Sequence, residues 1–130
     1  MTTHVHLVGS VGLDTVEEVF ETAGRYFGKR IRRIPDGDGK TLLDNSMILF
    51  GSCMRDGNAH DPHNLPLVVA GRAGGTLATG RHLVYEKNTP LCNLWTAMLD
   101  RAGAPVDRFG DSTEPLRGLD DPEFAGTAKA

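Results

Sequence analysis

Residues 57–75 read GNAHDPHNLPLVVAGRAGG, and within them the run LPLVVAG at 65–71 decides the fold. It is too short for a helix and carries no polar interruption. That pattern predicts a strand buried on both faces of a covered sheet. Just ahead of it lies a polar loop holding His60, Asp61 and His63, with Asp56 a little upstream. Imidazole and carboxylate oxygen suit zinc or another divalent metal, so these four residues are the candidate metal ligands. Ordinary loop chemistry competes with that reading, because Asp61 before Pro62 and Asn64 before Leu65 are turn formers.

Outward from this run, three further segments have strand character. VHLV at 5–8 ends in Gly9-Ser10, SMILFGS at 46–52 follows the turn formers Asp44-Asn45, and RHLVYE at 81–86 is the weakest of the set. His4-x-His6 falls on the first of these, where both residues would share one face, but the local sequence offers no third ligand. Two helices are expected. In the first, over residues 14–27, Asp14 caps, Glu17 completes a capping box, and Val16, Val19, Phe20, Ala23 and Phe27 recur at helical spacing before Gly28. In the second, Thr89 caps, Pro90 opens and Gly103 closes, and the stripe Leu91, Leu94, Trp95, Met98, Leu99 and Ala102 is expected to be core.

The remaining segments read as connections. The basic cluster Lys29, Arg30, Arg32 and Arg33 follows Glu17, Glu18 and Glu21, which favours a solvated strand edge over a phosphate site. The glycines of GRAGGTLATG at 71–80 match neither a phosphate loop nor a dinucleotide fingerprint, so the loop is read as a turn. From Asp111 onward the chain is acidic and punctuated by Gly and Pro, which predicts a loosely packed tail, flexible over 120–130.

The totals bound these readings. The chain has 130 residues, enough for one domain with a real core. Its 14 basic and 17 acidic residues give a net charge of −3, which provides no general attraction for nucleic acid or an anionic membrane. No apolar stretch approaches the roughly 20 residues that span a bilayer, and no signal peptide opens the chain, so a cytoplasmic protein is expected. Cys53 and Cys92 form no paired motif and are expected to be single buried thiols.

Two stretches resemble different families. Residues 4–38, HVHLVGSVGLDTVEEVFETAGRYFGKRIRRIPDGD, resemble the opening strand, Gly-Ser turn and helix of proteins related to cobalamin-independent methionine synthase, a (β/α)8 barrel. Residues 41–119 resemble the C-terminal part of a bacterial family of unknown function, usually exported, named for a His-x-x-Ser-His-His motif. That family is similar in turn to the alkaline phosphatase and sulfatase superfamily. The carrying segments are LLDNSMILFGSCMRDGNAHDPHNLPLVVAG, GGTLATGRHL, PLCNLWTAMLDRAGAPVDRFGDS and LRGL, and the naming motif itself does not occur here.

The second resemblance implies that His60, six residues before Pro66, occupies a position that often binds a catalytic metal, with Asp61 and His63 beside it. The nucleophile and first metal ligands of those enzymes belong to the N-terminal half of their fold, so no catalytic residue is assigned. The combined expectation is an α/β chain with a small partial parallel or mixed sheet and two main helices, a fragment of an alkaline-phosphatase-like fold. It would consist of a βα unit over 1–38, joined near Gly37 to Lys40 to an alkaline-phosphatase-like part over 41–119. As a chimeric or truncated protein it is expected to lack independent catalysis. The alternatives are a divalent-metal-binding, hydrolase-like module and an interaction module that completes its sheet with a partner chain, with self-association through exposed strand edges.

Overall fold

All four apolar runs become strands. The computed structural model describes residues 29–127 and, as strand backbone, residues 4–8. In chain order these contain β1 (His4–Val8), α1 (Lys29–Ile31), β2 (Ile48–Gly51), β3 (Pro66–Ala70), a 3-10 turn (Ala73–Gly75), β4 (Arg81–Val84) and α2 (Cys92–Arg101). The helix expected over 14–27 lies outside the described residues.

The strands form one sheet in the order β2-β3-β1-β4. β1 runs parallel to β3, while β1 with β4 and β2 with β3 are antiparallel. The sheet is therefore mixed and the chain α/β in character. β1, from residues 4–38, sits between β3 and β4, from residues 41–119, so both stretches contribute to one sheet. The expected junction at 37–40 falls on an exposed turn closed by pairing of Pro35 with Thr41, where Gly37 and Gly39 adopt φ of 82° and 83°.

Register divides the sheet into two faces. Residues directly opposite share a face, so Val5 aligns with Leu67 and Leu83, and Leu7 with Val69. Leu67, Val69 and Leu83 belong to the core cluster together with Leu77, Tyr85, Leu94, Ala97, Leu116 and Leu119. Burying each of the large aliphatic side chains contributes about 1.5–3 kcal/mol. The opposite face carries the register positions of Ile48, Phe50, Val68, His82, His4 and His6. Val68 is nevertheless buried, so β3 is covered on both sides as its unbroken hydrophobicity predicts.

α2 ends where expected and begins later. Gly103, at φ 75°, donates its N–H to the Asp100 carbonyl, and the Ala104 N–H reaches the Leu99 carbonyl, which together make a Schellman closure. Thr89 does not cap the helix. Its hydroxyl donates to the Glu86 carbonyl at 2.8 Å, and the residue preceding the first helical position is Leu91.

The buried face is also rotated away from the expected stripe. Asn93, Leu94, Thr96 and Ala97 are buried, while Trp95 is only half-buried. Burial of the two polar residues is compensated by hydrogen bonds. The Asn93 carboxamide accepts from the Thr113 N–H at 2.9 Å and donates to the Thr113 hydroxyl, and the Thr96 hydroxyl donates to the Cys92 carbonyl.

The C-terminal segment is packed, contrary to the loose tail expected from Asp111. Leu119 is fully buried, Leu116 nearly so, and Phe124 lies against Tyr85 with ring centroids 6.1 Å apart. Arg81 supplies the anchor. Its guanidinium donates to the carbonyls of Ala78, Gly118, Leu119, Asp121 and Phe124. Beyond it, Gly126 pairs with Val84, and the Thr127 N–H donates to the Val84 carbonyl at 3.0 Å. The C-terminal segment thereby meets the outer edge of β4 at Val84.

Two smaller expectations also change. Arg30, Arg32 and Arg33 of the basic cluster are solvated, but the segment contains a helical turn instead of a strand edge. Cys53 is exposed in the loop after β2 and Cys92 half-buried, both as free thiols. No helix among the described residues is long and apolar enough to cross a membrane.

Candidate functional site

The proposed ligand loop, residues 52–65, leaves β2 and returns to β3. Its strand-like neck is held by the Ser52 N–H donating to the Pro66 carbonyl. A tighter closure follows, in which the Arg55 N–H donates to the Asp61 carbonyl at 2.8 Å and the Asp61 N–H to the Asp56 carbonyl at 3.2 Å. His60, at φ 50°, and Asn64, at φ 58°, take left-handed conformations on either side of Asp61. Asn tolerates this region better than most residues.

The carboxylates serve the loop itself. One Asp56 oxygen accepts from the backbone N–H groups of Asn58 and Ala59, at 2.8 and 3.0 Å. These bonds, that from Ala59 foremost, hold the Asp56 carboxyl below its ordinary pKa. Asp61 divides its two oxygens. Oδ1 accepts from the His63 N–H at 2.9 Å and lies 2.8 Å from His63 Nδ1, while Oδ2 pairs with the Arg55 guanidinium. The His63 backbone bond is the first cause of the lowered Asp61 pKa.

Of the four sequence-derived ligands, the fold brings Asp61 and His63 into direct contact. Asp56 lies across a bridge from Asp61 but is committed to its own turn, and His60 is exposed. Among the described residues, no group of three or more His, Cys, Asp or Glu side chains is placed to hold a metal ion. The Asp61–His63 pair can orient an imidazole, with Nδ1 toward the carboxylate and Nε2 toward solvent. One oriented imidazole is short of the three protein ligands that a hydrolytic metal needs.

Two concave regions were not legible in the sequence. A cleft of about 480 Å³ with mixed polar and apolar walls opens between the segment after β4 and residues 113–117, with Glu86, Lys87, Asn93, Thr113, Glu114 and Arg117 among its lining. Its acidic and basic side chains balance, and Glu114 already pairs with Arg117. An apolar groove of about 300 Å³ is lined by Met47, Trp95, Met98, Leu99, Ala102 and Phe109. The helical stripe was the signal for this groove. Expected to be core, that stripe is partly a surface.

Comparison with protein-family models, curated proteins and solved structures finds no match for this chain.

Proposed function

We propose that this chain is an interaction module, not a self-sufficient hydrolase, and that it completes its sheet by pairing β2 with β2 of a second copy. The observation that carries this reading is the unequal treatment of the two sheet edges. β4 is met on its outer side at Val84 by Gly126 and Thr127 of the C-terminal segment, whereas β2 is a terminal strand of the sheet with no described strand on its outer side. An open edge presents a row of backbone donors and acceptors, and proteins normally cover or charge it.

β2 reads ILFG and carries no charge. Antiparallel pairing of two copies about a twofold axis places the same residues across from each other, so a neutral apolar strand avoids like-charge contact. The Ser52 N–H bonds to β3, and by strand alternation the N–H groups of Leu49 and Gly51 point outward, available to a partner. Met47, immediately before β2, belongs to the apolar groove, and Phe109 is 48% exposed at that groove, so apolar surface continues beside the edge.

The two resemblances support the same reading. In it, residues 41–119 are part of an alkaline-phosphatase-like fold and residues 4–38 a transplanted βα unit, with chemistry no longer the chain's task. Sedimentation velocity of the full chain across micromolar concentrations tests the proposal. A dimer that a Phe50→Lys variant returns to monomer is expected, because charge on an edge strand opposes pairing. A monodisperse monomer at all concentrations refutes it.

A further inference from the structure

The cleft beyond β4 is built from two walls that the fold holds in place. Tyr85, the buried residue that follows β4, donates its hydroxyl to the Arg117 carbonyl at 2.8 Å, and the Leu116 N–H donates to the Asn93 carbonyl of α2 at 2.8 Å. The Asn93 carboxamide adds its two bonds to Thr113. The facing wall is a tight turn, in which the Thr89 N–H and hydroxyl both donate to the Glu86 carbonyl and the Glu86 N–H donates to the Thr127 hydroxyl at 2.9 Å. A cleft pinned in this way exists before any ligand arrives, and its volume of about 480 Å³ lies within the range of small-molecule sites.

The charges on the walls select the ligand. Glu114 is already engaged, with two guanidinium nitrogens of Arg117 donating to its Oε2. On the other wall Glu86 and Lys87 are exposed, and among the described residues neither the Glu86 carboxylate nor the Lys87 ammonium has a hydrogen-bond or ion-pair partner. One charge of each sign on adjacent residues suits a ligand that carries both. A simple anion would be repelled by Glu86 and a simple cation by Lys87, which offsets the attraction each gains. Pro90, Pro115 and Leu116 add apolar lining.

We propose that this cleft binds a small zwitterion with an apolar side chain, a di- or tripeptide with free termini, its ammonium at Glu86 and its carboxylate at Lys87. Two or three extended residues span about 7–10 Å, which matches the breadth of a space of this volume. The lining contains no residue of β2, so the site stands or falls separately from self-association through that strand.

Titration of the full chain with the dipeptide Leu-Ala, followed by two-dimensional amide NMR, tests the proposal. Saturable shifts are expected at the amides of Glu86, Lys87, Thr113 and Arg117. The same dipeptide acetylated at its N-terminus and amidated at its C-terminus carries neither charge and should leave those amides unmoved. Glu86→Gln and Lys87→Gln should each weaken binding about two- to fivefold, the share of one exposed ion pair, with spectra away from the cleft like the parent's. No saturable shift at millimolar dipeptide, equal shifts from the blocked dipeptide, parent-like binding by either variant, or shifts centred on the apolar groove beside Met47 overturns the proposal. The comparison of free with blocked dipeptide uses the parent chain alone, so it decides even if a variant fails to fold.

Discussion

Replacing Arg81 with Met should release the C-terminal segment. The guanidinium donates to five carbonyls, four of them on residues 118–124 that no described helix or strand contains. Hydrogen bonds from a charged donor contribute about 1.5–3 kcal/mol each, but five on one group are not additive. The bonds to Ala78 and Gly118, both at 2.9 Å and part-buried, set a floor of about 3 kcal/mol, since water replaces them poorly. Single substitutions rarely exceed about 4–5 kcal/mol, which sets the ceiling.

For a domain of this size, about 3 kcal/mol lowers the melting temperature by roughly 10 °C. Urea unfolding gives the free energy, and limited proteolysis with mass spectrometry should show early cleavage between 118 and 127. Arg81→Lys should recover little, because one ammonium cannot reproduce a planar fork of donors. A loss within about 0.5 kcal/mol, the range of ordinary surface changes, would show that the guanidinium does not organise this segment.

Two further outcomes follow from the geometry. Gly71→Ala should unfold the chain or cost several kcal/mol, because Gly71 has φ 102° and an added Cβ would stand 2.1 Å from the Ser46 carbonyl oxygen. Circular dichroism melts check it, and a parent-like melt would contradict the close approach. In the 55–63 loop, Asp56 and Asp61 have carboxyl pKa values lowered by backbone N–H donors. Lowered folded-state values mean that their contribution is present above the unfolded pKa of about 3.9 and disappears as pH falls through the folded values. Amide exchange of Asn58, Ala59 and His63 should therefore accelerate relative to the core below about pH 4, and unchanged protection there would refute the assignment.

Much of the local structure was legible because its causes are local. Apolar runs at 5–8, 46–52, 65–71 and 81–86 became β1 to β4, since a short β-branched segment bounded by turn formers has few other ways to satisfy its backbone. Gly103 closed α2 because left-handed φ is cheap only for glycine and a few others. The candidate loop was legible as a loop but not in its bonding. Asp56 and Asp61 suit metal oxygen ligation and amide capping equally well, and only the fold places Asn58, Ala59, His63 and Arg55 within their reach.

What the amino-acid sequence determined by itself was the four strands and α2, their approximate ends and the apolar stripe of α2. Tertiary structure alone decided which side of that helix is covered. Asn93 and Thr96 go inward because their hydrogen-bond partners are waiting there, and Trp95 is left at a groove. It likewise turned an acidic tail into packed structure, since the carbonyls that Arg81 gathers lie some forty residues away in the chain. It also set His82 opposite His6. Periodicity reports on neighbours three or four positions apart, whereas strand order and register are settled by contacts between distant segments, whose partners no local pattern names.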